Sequence, residues 1–182
     1  MLSKNEWDPL KAVILGIADD AQIPVMDTSL RCVNYADLSD TGLINVGTYP
    51  KQVIDEANED LQTFESFLIK AGVKVYRPDF KCIPNYYNYC PRDTVLVHDD
   101  LILATPNPLR AREFEHKAME DILTLYSEVT TIDIKRGNDL YNTNCIGNPD
   151  ILALNENEPA FDAANILRDN DNLYYLVHVL RV

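Results

Sequence analysis

Histidine, cysteine and positive charge are all scarce in this sequence. The four cysteines, Cys32, Cys82, Cys90 and Cys145, are scattered without a CxxC pair. That spacing indicates neither a zinc site nor a disulfide framework, and free thiols are expected. Lysine and arginine number 16 against 29 acidic residues, for a net charge of −13. Such a surplus opposes phosphate backbones and anionic lipid surfaces, so neither nucleic acid nor membrane is an expected partner, whereas small cations are favoured. No apolar run reaches the ~18 residues of a membrane-spanning helix. The start, Met1 to Trp7, lacks the pattern of a secretory signal or a transit peptide, so a cytoplasmic location is expected. A hydrophobic content of 46% over 182 residues suffices for one domain with a sizeable core, or for part of a larger one.

Trp7-Asp8-Pro9-Leu10 reads as a turn entering a short apolar strand, Ala12 to Gly16. Ala18 to Tyr49 has no sustained periodicity and predicts a long excursion with little regular structure. Pro50 then opens a helix whose apolar positions Val53, Ile54, Ala57, Leu61, Phe64, Leu68 and Ala71 recur at helical spacing, and Gly72 ends it. The strand Val73 to Tyr76 follows, stopped by Arg77-Pro78-Asp79, which is the order of a crossover unit. Thr94 to Val97 and Leu101 to Ala104 flank His98-Asp99-Asp100 as a β-hairpin. A second helix is expected from roughly Arg110 to Tyr126, with Phe114, Ala118, Ile122 and Leu125 on its apolar stripe. Thr130 to Ile134 reads as a strand and Ile151 to Leu154 as a further apolar run. A second hairpin is expected from Ala163 to Val177 around Asp169-Asn170-Asp171-Asn172.

Asp93 and Asp162 are set apart from the other acids. Asp93 lies in Tyr86-Tyr87-Asn88-Tyr89-Cys90-Pro91-Arg92-Asp93 and Asp162 in Glu158-Pro159-Ala160-Phe161-Asp162-Ala163-Ala164, each leading into a predicted hairpin. Two carboxylates at strand ends suit a guanidinium, whose planar fork of donors is best held by bidentate acceptors away from water. The bland alternative for each is an aspartate bonded to nearby backbone. Arg92 reads as a structural partner of a carboxylate, and Arg110 and Arg112 as salt-bridge or packing residues. Cys90 reads as a packed thiol, since little near it in sequence would lower its pKa. His98 and His116 read as solvated residues.

Four segments in order, Asn5-Glu6-Trp7-Asp8-Pro9-Leu10, Pro91-Arg92-Asp93, Thr105-Pro106-Asn107-Pro108-Leu109-Arg110-Ala111-Arg112 and Glu158 to Ala164, resemble the amidinotransferase family. The resemblance runs from about Asn5 to Val177 and covers the N-terminal half of the family pattern. It implies an α/β fold, a partial α/β-propeller (pentein-like) built from ββαβ modules. It also implies transfer of an amidino group from arginine to an amine acceptor such as glycine through a covalent amidino-cysteine, with no cofactor and no metal. Carried over by motif, Asp93 is a substrate-binding carboxylate and Asp162 the catalytic acid that partners a histidine. The family's later histidine segment and its nucleophilic cysteine have no counterpart in this sequence, and His178 to Val182 does not continue the family pattern. The expectation is therefore a single domain over residues 1–182, cut before the C-terminal catalytic half, whose turnover alone is in question. Arginine or a related guanidino compound is the expected ligand, with a homo-oligomer or a companion chain as further partner. A non-catalytic guanidino-binding module and an oligomeric structural remnant are the alternatives.

Overall fold

The computed structural model describes residues 3–42, 44–81, 83–132 and 134–176. The chain is α/β: short strands in small mixed sheets, joined by one long helix and several 3₁₀ turns. The apolar run near the start forms β1 (Ala12–Ile14). The excursion expected to hold little regular structure contains three short elements: β2 (Gln22–Ile23), α1 (Thr28–Val33) and β3 (Gly47–Thr48), with β2 and β3 paired antiparallel. Helix α1 is started by Asp27, whose Oδ1 accepts from the Leu30 N–H at 2.9 Å, the arrangement that makes aspartate a good N-cap. Helix α2 (Lys51–Lys70) begins after Pro50. It ends at Gly72, where φ is +83°, with Gly72 N–H bonded to the Ile69 carbonyl and Val73 N–H to the Leu68 carbonyl, both at 3.0 Å. This paired closure is a Schellman motif, which needs a left-handed residue at that point. The strand β4 (Lys74–Tyr76) then pairs parallel with β1, Val13 opposite Val75, so α2 belongs to a β–α–β crossover.

The expected first hairpin is present as β5 (Val95–His98) and β6 (Leu101–Ala104), paired Val95 to Ala104 through His98 to Leu101. The helix expected from Arg110 to Tyr126 is not continuous. Two 3₁₀ turns, Arg110–Arg112 and Glu115–Met119, precede a single α-helical turn, α3 (Glu120–Leu123). Its predicted stripe holds only in the middle: Ala118 is buried and Ile122 half-buried, but Phe114 and Leu125 are 52% and 66% exposed while Met119 and Leu123 are buried. The physical reason lies in the first turns, where Arg112 and Glu115 are drawn inward to buried partners. After α3 comes β7 (Val129–Thr131), parallel to β6, which completes one ββαβ unit. Ile151 to Leu154 is not a strand, since Leu154 makes only an isolated bridge to Tyr141. The second hairpin is β8 (Ile166–Asp169) and β9 (Asn172–Tyr175). Its predicted end at Val177, and the tail from His178, lie outside the described residues.

The first hairpin carries apolar side chains on both faces. Ile102, with Val95 and Val97 beside it, packs on Met119, Leu123 and Ile14. On the opposite face Leu96 and Leu103 meet Ala163, Ile166 and Phe161, which joins the two hairpins. The N-terminal strap lies across both. Ser3 bridges Asp99 at the tip of the first hairpin, and Asn5 bridges Asp169 at the tip of the second. The predicted turn at Trp7 is formed by Asn5 Oδ1, which accepts from the N–H groups of Trp7 at 3.2 Å and Asp8 at 2.8 Å. Glu6 then takes Arg168 Nε and Nη2, each at 2.8 Å, and Arg92 Nη2 at 3.0 Å. Arg92 is thus a carboxylate's structural partner, as expected.

Candidate functional site

Each hairpin is entered through a 3₁₀ turn that delivers one aspartate. Asp93 closes the turn Pro91–Asp93, and Asp162 caps the turn Ala163–Asn165, with Oδ1 accepting from the Ala164 N–H at 2.8 Å. The segment after β6 runs between them. Thr105 donates its N–H to the Thr94 carbonyl at 2.9 Å and its hydroxyl to the Asp93 carbonyl at 3.1 Å. Two residues on, Asn107 Nδ2 donates to Asp162 Oδ2 at 3.4 Å, and Phe161 N–H donates to the Pro106 carbonyl at 3.0 Å. The Asn107 amide is only 2% exposed, and its own Oδ1 accepts from Leu109 N–H at 3.0 Å, which fixes Nδ2 toward Asp162. One short stretch, Thr105 to Asn107, therefore ties down both residues singled out in the sequence. Burial pushes the Asp162 carboxyl above its ordinary range, and the nearby charge of Asp93 adds to the rise, while the Ala164 N–H opposes it.

Beneath Asp93 lies a buried ion cluster. Arg112, 5% exposed, donates from Nη1 to Asp93 Oδ2 at 2.6 Å and from Nε to Glu115 Oε2 at 2.7 Å. Its Nη2 reaches the Cys90 carbonyl at 3.1 Å, and its guanidinium lies 5.1 Å from the centroid of the Tyr87 ring. Glu115 Oε1 accepts the Tyr87 N–H at 3.0 Å, so the same pair also fixes the aromatic loop. That loop is pressed on Gly16, where a Cβ would stand 2.5 Å from the carbonyl oxygens of Asn88 and Tyr89. Desolvation works against the charge on Arg112, but Glu115 and Asp93 outweigh it and hold the guanidinium protonated. One cation is shared by two carboxylates, so the cluster holds more acids than bases, while burial pushes the Glu115 carboxyl up. Arg112 fits the salt-bridge role expected of it. The contributions of Glu115, Thr105 and Asn107 were missed, although the three-residue spacing of Arg112 and Glu115 was a usable signal.

Cys90 is exposed, not packed. Desolvation and then the charge of Asp93 push its thiol up, which opposes thiolate formation beside the two aspartates. His98 and His116 are half-buried, contrary to the solvated reading, and burial lowers the pKa of His116. Among the described residues no hydrogen bond joins a histidine to Asp93 or Asp162, and no group of three or more histidine, cysteine or acidic residues is placed to hold a metal. A cavity of about 860 Å³ runs along β1 and β5 past Tyr76, Tyr126 and Met119. It lies between the crossover and the hairpin unit and reaches the acids only at Asp93, with Cys90 and Ala163 beside it, and not at Asp162, Asn107 or Arg112.

No family model matches the chain. Individual proteins do. Inosamine-phosphate amidinotransferase 1 of Streptomyces glaucescens is 35% identical over 95% of the chain and 54% of its own length. The solved inosamine-phosphate amidinotransferase of Streptomyces griseus superposes with a TM-score of 0.86 at 35% identity, over 97% of this chain and 55% of that one. The chain is a homologue of the amidinotransferases. The mitochondrial glycine amidinotransferase of Xenopus tropicalis lies further off, at 26% identity over 94% of the chain and 47% of its own. This amidinotransferase homologue spans about half the length of the curated relatives it matches, in keeping with a resemblance expected to cover half of the family pattern. Among its described residues no helix is long and apolar enough to cross a membrane.

Proposed function

We propose that the chain carries the guanidino-binding acids of an amidinotransferase that moves an amidino group from arginine to an amine such as glycine. In this reading Asp93 receives the guanidino group and Asp162 is the catalytic acid. The observation that carries it is the joint anchoring of the two aspartates on Thr105 to Asn107, over an ion cluster with more acids than bases. A guanidinium placed there offsets that imbalance and offers planar donors to carboxylates in a poorly hydrated place. Asp162, raised by burial, is suited to hold or pass a proton during amidino transfer. The thiolate that attacks the guanidinium carbon, and the histidine that shuttles protons to the amines, come from sequence this chain does not carry in the family pattern. Turnover therefore requires residues beyond those of this sequence, and the architecture is that of a partial pentein propeller with one whole ββαβ unit. Exposed Phe64, Phe67 and Tyr174 leave apolar surface for a companion chain or for a second copy. A cytoplasmic location accords with this role.

Calorimetric titration with arginine tests the site. Wild type is expected to bind, and Asp93→Ala and Asp162→Ala to lose about tenfold or more, the worth of one charge-assisted hydrogen bond. Binding unchanged in both variants would mean that these carboxylates are not the site. The chain alone is expected to release no ornithine from arginine and glycine. Binding without turnover is a second reading, favoured by the raised Cys90 thiol.

A further inference from the structure

Arg112 is itself a guanidinium, already seated against the acid proposed to receive one. Three anchors fix it: Glu115 at Nε, the Cys90 carbonyl at Nη2 and Asp93 at Nη1. Glu115 is 2% exposed and is pinned in turn by the Tyr87 N–H. Asp93 is gripped only at Oδ2, and no hydrogen bond among the described residues engages its Oδ1. Its side chain remains 24% exposed against 5% for that of Arg112. The carboxylate is therefore clamped from the protein side and open on the other.

We propose that Arg112, locked by Glu115, is a positioning residue for Asp93, fixing Oδ2 from beneath so that Oδ1 is presented to a guanidino ligand. The purpose rests on the reading of Asp93 given above, although the geometry does not. A free aspartate samples several rotamers and must be ordered by its ligand, whereas one already clamped spares that cost on binding. The planar fork is what makes the clamp directional. Lysine at this position keeps the charge but offers a point donor on a flexible stem, and it cannot hold Glu115 and Asp93 at once in fixed geometry.

The adjacent thiol reports on Asp93 without any ligand. Cys90 is exposed while Cys32 and Cys145 are buried, and Asp93 contributes to the raised Cys90 thiol. The pH dependence of Cys90 alkylation, followed by peptide mass spectrometry, is measured in wild type, Asp93→Asn, Arg112→Lys and the double variant. In the wild-type background Asp93→Asn is expected to move the midpoint to lower pH. With Arg112→Lys present that displacement is expected to fall by more than half, because the carboxylate is no longer held beside the sulfur. An equal displacement in both backgrounds, or none in wild type, overturns the proposal. If Arg112→Lys does not fold, the same comparison in Glu115→Gln, which loosens Arg112 at one anchor, decides it on the same criterion. Arginine titration separates the two claims. If wild type binds arginine, folded Arg112→Lys is expected to lose about tenfold in affinity, and undiminished affinity overturns the positioning role. If wild type does not bind, the guanidino-site reading falls and the alkylation comparison alone judges Arg112.

Discussion

At the scale of single residues, Asp162 shows how a buried acid costs its fold something. Its carboxyl is raised by burial and by Asp93, so the folded chain binds a proton there more tightly than the unfolded chain does. Linkage then gives the sign: the ionised form is a burden above the folded pKa, and the burden is relieved as pH falls through it. Asp162→Asn removes the charge and keeps an oxygen for the Ala164 N–H, but sets an amide donor against Asn107 Nδ2 in place of the Oδ2 acceptor. That lost bond is independent of pH and the charge is not. The variant is therefore expected to lose arginine binding and to gain in melting temperature relative to wild type as pH rises through the folded Asp162 pKa, whereas a difference that does not change with pH would show that the charge is no burden. Asp93 and Asp162 stand out in the sequence because each carries a distinctive frame of proline, aromatic or small residues. The residues that hold them do not. Asn107 acts across 55 positions and Arg112 across 19, and neither distance leaves a periodic trace.

Among elements, legibility followed how local the cause was. Helix α2 was readable because its start, stripe and stop are all encoded within it, and the two hairpins because each is an apolar pair about a polar turn. The hairpins even share a backbone detail, positive φ at Asp99 (+55°) and Asn170 (+52°), both residue types that tolerate it. The segment from Arg110 to Tyr126 failed because buried ion pairs, not apolar spacing, set its course. Helix α1 was missed although Asp27-Thr28-Ser29 carries a capping signal, since one short helix gives too few turns for a period. Gly72 provides the test at this scale. The space around its missing Cβ is open, so Gly72→Ala has only the left-handed backbone to oppose it. A loss of about 1 kcal/mol is expected in denaturant unfolding, with unchanged arginine binding. A neutral or stabilising result would mean that the closure at Ile69 and Leu68 does not depend on that conformation.

For the whole molecule, the decisive contact joins the start of the chain to both hairpins. Glu6 accepts from Arg92, which also donates to the Ile166 carbonyl at 3.0 Å, and from Arg168, which also bonds Ser3 Oγ at 2.9 Å and the Val97 carbonyl. The motif around Trp7 thus works as a clasp over the faces that carry Asp93 and Asp162, which explains its place in the pattern without any contact to the acids. Hydrogen bonding by Arg168, and then by Arg92, lowers the Glu6 carboxyl to about 2 against burial, while its side chain is 23% exposed. An acid lowered on folding stabilises above its unfolded pKa and loses that contribution as pH falls toward the folded value. The clasp is therefore complete above about pH 4.5 and dissolves between there and about 2. After discounting for solvent screening it is worth about 2 kcal/mol. Glu6→Gln is expected to lower stability by about that amount at pH 7 and to flatten the acid limb of stability against pH, because the variant has no proton to take up there. Chemical unfolding from pH 7 down to pH 3 measures both effects at once. Parallel curves for the two proteins would place the acid sensitivity in other carboxylates and reduce the strap to a surface contact.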